Sequence, residues 1–303
     1  GSWSQILHVP ALLEEVIGFI DPRDGGTYMD GTLGFGGYSK ALLDKSSPTG
    51  TVYSFDLDRS AIERTSLRLI EYGARFRPVH AGFHEARASL EELGVTLLDG
   101  ITLDLGLSTN QLEDPERGFS FRFDGPLDMR FDRESGKTLL ELLRTMKAPE
   151  IDRIIREYGE ERFSSRIARS IVEAMRKGTL NSATELADLV AKAIPGRRGK
   201  IHPATRTFQA LRIAVNRELD NLETALASLP HMLNVGARLC IVSYHSLEDR
   251  LVKVAFRTLA KEGPKWRVVT PKPIRPTNEE ARANPRARSA RLRVLEAIAP
   301  SEF

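Results

Sequence analysis

Between residues 27 and 104, short apolar runs alternate with amphipathic stretches, and this alternation restricts the possible folds more than any other feature of the chain. Residues 27–29, 51–55, 76–80 and 101–103 read as strands, while 38–45, 60–72 and 84–93 carry apolar residues at helical spacing. Strands and helices in this order imply βαβ units and a parallel sheet. Right-handed crossovers then bring the C-terminal ends of the strands to one edge, where ligands bind in such sheets. An earlier amphipathic helix is expected over 10–20, with Leu12, Leu13, Val16 and Ile20 on one face.

The alternation stops at Asp104. Residues 105–136 are rich in glycine and proline and read as loop, and 139–229 have a helical pattern interrupted near 195–203. Residues 237–243 return as an apolar strand, a helix follows over 247–259, and 292–295 are expected to form a last strand. The economical reading is an α/β sheet with an all-helical module inserted between its fourth and fifth strands. The expected boundaries are 1–112 with 222–303 for the sheet domain and 113–221 for the insertion. A chain of 303 residues, 41% of them apolar, can build two such cores. No apolar run approaches the roughly 20 residues that span a bilayer. The single cysteine, Cys240, allows no internal disulfide. With no secretory signal at its start, the chain is expected in the cytoplasm.

Three places carry chemistry. The first is Asp30-Gly31-Thr32-Leu33-Gly34-Phe35-Gly36-Gly37, a glycine-rich turn after strand one. Glycine lets backbone approach a ligand closely, and the following helix offers free N–H groups. A dinucleotide site would continue Gly34 and Gly36 with a third glycine, but Ser39 stands there. Asp30 can meet a cationic amino-acid group, which favours S-adenosylmethionine over a pyrophosphate. The second is Asp56, at the end of strand two, where a carboxylate can accept both hydrogens of a ribose diol, with Asp58 as the alternative. The third is Asp104, at the end of strand four. An aromatic amine is a poor nucleophile, and an acceptor for its N–H groups draws out the lone pair and can take the proton. A turn-capping aspartate would look the same in sequence.

The net charge is only +3, but its distribution is uneven. Lys265, Arg267, Lys272, Arg275, Arg282, Arg286, Arg288, Arg291 and Arg293 crowd the last stretch, and Arg197, Arg198 and Lys200 form a second cluster. Both are suited to phosphate contacts. Deleting the residues after Lys265 is expected to remove such phosphate contacts without touching the cofactor site.

Several longer blocks add a resemblance. They include His8-Val9-Pro10, the glycine turn, Asp104-Leu105-Gly106, Gln111-Leu112, Glu116-Arg117-Gly118-Phe119-Ser120-Phe121 and Asp124-Gly125-Pro126-Leu127-Asp128-Met129-Arg130. Tyr158-Gly159-Glu160-Glu161-Arg162, Thr205 to Arg212 (TRTFQALR), Ser243 to Arg250 (SYHSLEDR) and Asn284 to Ser289 (NPRARS) complete them. Together they resemble the RsmH (MraW) family of 16S rRNA cytosine-N(4) methyltransferases over nearly the whole chain. The resemblance implies a class I (Rossmann-like) methyltransferase sheet with an inserted helical domain. The implied reaction moves a methyl group from S-adenosyl-L-methionine to the N(4) amine of a decoding-centre cytidine. The implied partner is 16S rRNA in the assembled small subunit; a homodimer is left open, and no metal and no membrane are implied.

Carried over residue by residue, the resemblance puts Gly36, Gly37, Tyr38, Asp56, Phe83, Asp104 and Gln111 against the cofactor. Tyr38 departs from the family's usual histidine, so a contact there survives only through the backbone N–H. Asp104 is expected on the cofactor first, and serves the amine as well if it lies between the two. His245 is the second catalytic candidate, as a proton relay or as a helix cap. The base must leave its stack to react, and no aromatic follows Asp104 to receive it, so Phe119 or Phe121 is expected to do so. The rival readings are a methyltransferase for small molecules or proteins, a non-catalytic RNA-binding factor with a retained pocket, and last an NAD-dependent dehydrogenase.

Overall fold

The computed structural model describes residues 9–196, 199 and 201–300. Two compact units make up the chain, one from 1–106 with 219–303 and the other from 107–218.

The larger unit holds the sheet. Its strands are β1 (Thr27–Asp30), β2 (Thr51–Asp56), β3 (Phe76–His80), β4 (Gly100–Asp104), β5 (Arg238–Ser243), β6 (Trp266–Val268) and β7 (Arg291–Ala297), in the order β3-β2-β1-β4-β5-β7-β6. The first five run parallel, while β7 lies antiparallel to both β5 and β6. Side chains alternate across a strand, and here each face meets its own core. Leu239 and Ile241 join Met29, Phe55, Ile101, Leu103 and Phe256 on one side. Cys240 and Val242 join Tyr28, Leu42, Val52, Leu292 and Val294 on the other. Burial on both faces explains why these strands read as continuous apolar runs. β1 has β2 on one side and β4 on the other, so successive crossovers leave it in opposite directions. A crevice opens at such a reversal, outside the carboxyl ends of the strands.

The end of the chain differs from expectation. The last strand is longer than 292–295, and β6, only three residues and partly exposed, was not foreseen. The basic run from Lys265 onward is therefore not a detachable clamp. Arg293 is buried and paired through Nε and Nη2 with Asp249 at 2.7 and 3.1 Å, and Arg267 grips Glu296 at 2.7 Å. Deleting this stretch would take Leu292, Val294 and Leu295 out of the core. Lys272, Arg275, Arg282, Arg286 and Arg288 stay exposed. The second basic cluster, Arg197, Arg198 and Lys200, lies outside the described residues.

The smaller unit is helical. Helices Leu139–Thr145, Ala148–Gly159, Ser164–Lys177, Ala183–Ala193 and Thr205–Asn216 enclose Ile151, Ile155, Ile167, Ile171, Leu186, Val190, Phe208 and Leu211. Thr138 and Ser182 cap two of them by accepting the N–H of Glu141 and Glu185. The stretch read as loop contains a short α-helix, Thr109–Glu113, and a 3-10 turn, Pro115–Arg117, and folds back on itself around a buried Arg117, which donates to the carbonyls of Arg130 and Phe131.

Candidate active site

The glycine turn is stitched into the carboxyl edge of the sheet. Gly31 N–H donates to the Thr102 carbonyl and Leu33 N–H to that of Phe55. A Cβ on Gly31 would lie 2.1 Å from Leu103 Cδ2 and 3.1 Å from Phe83 Cβ, so backbone passes where no side chain fits. Gly36 takes φ +84° and would drive a Cβ to 2.6 Å from Thr65 Cγ2. Gly34, at φ +49°, instead faces open space, with nothing nearer to a Cβ than Thr32 O at 4.0 Å. The helix Gly37–Lys45 begins there, and its first-turn amides lack intrahelical partners.

Asp56 and Asp58 divide their work. Asp58 is buried and caps the helix Arg59–Arg68, accepting Ser60 N–H at 3.0 Å and the Ser60 hydroxyl at 2.6 Å. Asp56 accepts Gly34 N–H at 2.9 Å and Asp58 N–H at 2.8 Å, which fixes its carboxylate beside the turn. These two bonds aim the group at the turn. Phe83 opens the turn after β3, against Gly31. The open space over Gly34, the helix amides and this oriented carboxylate fit a ligand carrying an amino acid and a ribose.

Asp30 sits deeper than expected. It is fully buried, with Thr32 N–H on Oδ1 at 3.1 Å and the Ser39 hydroxyl on Oδ2 at 2.6 Å; Ser39 in turn touches Ser54 Oγ at 2.7 Å. The serine in the third-glycine position thus anchors the acid beneath the turn. Burial, opposed by these bonds, raises its pKa to about 6. The unfolded chain releases that proton near the ordinary 3.8. Between those values the native state binds more protons, so stability falls as pH rises and stays low above the folded value. The size is on the order of 3 kcal/mol. Asp30→Asn keeps the acceptor for Thr32 and lets Ser39 turn toward Ser54. Urea unfolding of the ligand-free protein from about pH 4 to about pH 7 should show this decline, flattened in the variant; parallel curves would refute the assignment.

Asp104 ends β4 at the same edge. Its Oδ1 accepts Gly106 N–H at 3.0 Å, the Tyr244 hydroxyl hydrogen-bonds to the carboxylate, and the Tyr38 hydroxyl lies 3.3 Å from Oδ2. Burial of the carboxylate pushes its pKa up, against the pull of the bonds from Gly106 N–H and the Tyr244 hydroxyl. The Tyr38 ring is buried, and its hydroxyl also lies 2.5 Å from Ala11 O. Only the Tyr38 backbone is left to meet a ligand at the turn. Tyr244 was not anticipated. The register pairs Asp104 with Val242, so the residue two beyond it reaches the carboxylate.

His245 is the N-cap of the helix Ser246–Glu262. Its Nδ1 lies 3.4 Å from Glu248 N and its Nε2 3.3 Å from Glu248 Oε1. Gln111 belongs to the smaller unit, where its Oε1 accepts Ser108 N–H at 3.0 Å and closes a capping box. Phe119 is 6% exposed and packs on Phe131 in that unit's core. Phe121 lies against His202 and Phe208, with ring centroids 4.5 and 4.8 Å away.

Residues 5–298 match the MraW methylase family. The chain is 44% identical over 307 residues to "Ribosomal RNA small subunit methyltransferase H" of Trichlorobacter lovleyi, covering 96% of this chain and 98% of that protein. Proteins of the same name from Syntrophus aciditrophicus (45%, covering 96% and 98%) and Syntrophobacter fumaroxidans (46%, covering 95% and 96%) are similarly close. Matched from near one end to near the other, the chain belongs to the MraW methylase family.

Proposed function

We propose that this protein methylates 16S rRNA of the small ribosomal subunit in the cytoplasm, transferring a methyl group from S-adenosylmethionine to N(4) of a decoding-centre cytidine. The observation that carries the reading is a half-buried carboxylate, Asp104, beside a glycine turn at the sheet's reversal point, in a chain close to small-subunit rRNA methyltransferases over almost its full length.

S-adenosylmethionine supplies an electrophilic methyl group. Gly36, Gly37 and the Tyr38 amide would hold its amino-acid end, Asp56 its ribose and Phe83 its adenine. Asp104 accepts an N–H of the cytosine amine, which turns the nitrogen lone pair out of the ring. Because methyl transfer is an in-line displacement, most of the acceleration comes from holding nitrogen and methyl in line. His245 supports this edge as a helix cap; a His245→Ala protein that binds donor normally and methylates at full rate takes it out of the chemistry.

The exposed Lys272, Arg275, Arg282, Arg286 and Arg288 offer phosphate contacts that offset the unstacking of the base. The helical unit serves as the substrate-recognition module, and the substrate is the assembled particle. Unmodified small subunits incubated with protein and labelled donor should yield one methylated cytidine, with the label on N(4) by mass spectrometry. Label on a ring carbon, on ribosomal protein or only on free metabolites would overturn the reading.

A further inference from the structure

The hydroxyl of Tyr38 has one proton and two acceptors. Ala11 O lies 2.5 Å away and Asp104 Oδ2 3.3 Å away. A backbone carbonyl can only accept, and the shorter contact is the stronger claim on the proton. With the proton on Ala11 O, the Tyr38 oxygen turns a lone pair toward Asp104 Oδ2. Two bare oxygens facing each other gain nothing. The contact becomes a hydrogen bond when Asp104 itself carries a proton on Oδ2.

The surroundings favour that state. Asp30 approaches from β1, and Tyr244, from beyond β5, has Glu248 and Glu280 behind it. The charges acting on Asp104 and its two phenols from these elements are all negative. Gly106 N–H and the Tyr244 hydroxyl do the opposite work, since they donate to the carboxylate and favour its ionised form. Asp104 is thus held between donors that keep it a base and one oxygen able to receive it as an acid.

We propose that Tyr38 is a positioning residue that equips Asp104 to be the proton acceptor of methyl transfer, its oxygen, pinned by the Ala11 carbonyl, catching the O–H that Asp104 forms. The amine nitrogen makes the new N–C bond while the methyl–sulfur bond breaks and sulfur keeps the pair. The N–H proton moves to Asp104, its bonding pair staying on nitrogen. The new O–H then swings from the amine onto Tyr38, which hinders its return until solvent takes the proton. This rests on the reaction proposed above.

Two variants separate Tyr38 from a merely structural role because they should act in opposite directions. Tyr38→Phe removes the acceptor for the protonated acid, so Asp104 should titrate lower by on the order of one pH unit. Tyr244→Phe removes a donor to the ionised form, so Asp104 should titrate higher by a similar amount. The direct measurement is carbon NMR of the Asp carboxyls in ligand-free protein, with the Asp104 signal assigned by its loss in Asp104→Asn. The acid limb of kcat on small subunits should move the same way in each variant. Tyr38→Phe should also lose about tenfold in kcat at neutral pH, because a weaker base is left. Shifts of the same sign in both variants, or none in either, overturn the proposal. If Tyr38→Phe fails to fold, an Asp104 signal in Tyr244→Phe that stays put or moves down overturns it alone. The NMR titration needs no turnover, so failure of the unaltered protein to methylate small subunits would sink the reaction and leave the Tyr38 assignment to be judged separately.

Discussion

Asp104→Asn should lower single-turnover methylation of small subunits by about a hundredfold or more, the scale of a lost general base. Asparagine has the shape of aspartate and keeps an oxygen for Gly106 N–H. Its amide nitrogen cannot take a proton from the amine, and in the place of Oδ2 it puts a donor opposite the Tyr38 oxygen. Calorimetry with S-adenosylmethionine should show the donor bound within about tenfold of the unaltered affinity, since an interaction made mainly in the transition state affects rate more than binding. A variant within threefold of the normal rate would remove Asp104 from the chemistry; one that turned over normally at saturating donor but bound it weakly would assign the residue to the cofactor alone.

The second large effect concerns stability. A Cβ on Gly125 would lie 1.9 Å from Pro115 O and 2.7 Å from Pro115 C, and one on Gly118, at φ +70°, would lie 2.2 Å from Pro126 O. These neighbours are backbone, which cannot swing aside as a side chain can. The same crossing is tied by Met129 N–H to Arg117 O at 2.8 Å and Ala183 N–H to Gly125 O at 2.8 Å. Gly125→Ala should therefore destabilise the helical unit by about 3 kcal/mol, at the upper end for overpacking. Hydrogen exchange should show protection lost at Met129, Leu139 and Ala183 and kept in β4 and β5. Undiminished protection at those three amides would mean that the crossing opens without cost.

The parts of the fold that could be read in the sequence were those whose signal is local. β1, β2, β4 and β5 are buried along most of their length and read as apolar runs, while the edge strand β3 exposes Arg77 and Pro78 and was placed by its position in the alternation; the order of elements gives the doubly wound sheet. The methylase family is borne out by the match over residues 5–298. β6 gave no such signal, because three residues at a sheet edge, none of them fully buried, resemble a loop. The charge pattern misled for a related reason. Arg293 and Arg267 look like any surface arginine until their partners, Asp249 and Glu296, are brought over from 44 and 29 residues away. At the site, residue type drew attention to Asp56, Asp104 and His245. The helix-cap reading of His245 was also open in the sequence; only packing distinguished Asp56 from Asp58 and brought Tyr244 onto an acid 140 positions earlier in the chain.

The place of β7 between β5 and β6 bears on how the protein is made. A ribosome working from the amino end delivers β1 to β4 first, then the whole helical unit, and only afterwards β5. When β5 docks on β4, its far edge is a row of unsatisfied amides and carbonyls flanked by Leu239, Cys240, Ile241 and Val242, and it stays bare until residues 291–297 emerge. Such an edge is a template for pairing with another nascent chain. The interval between those two strands is when the newborn polypeptide is most exposed to self-association, and a chaperone that shields that edge would be most useful then.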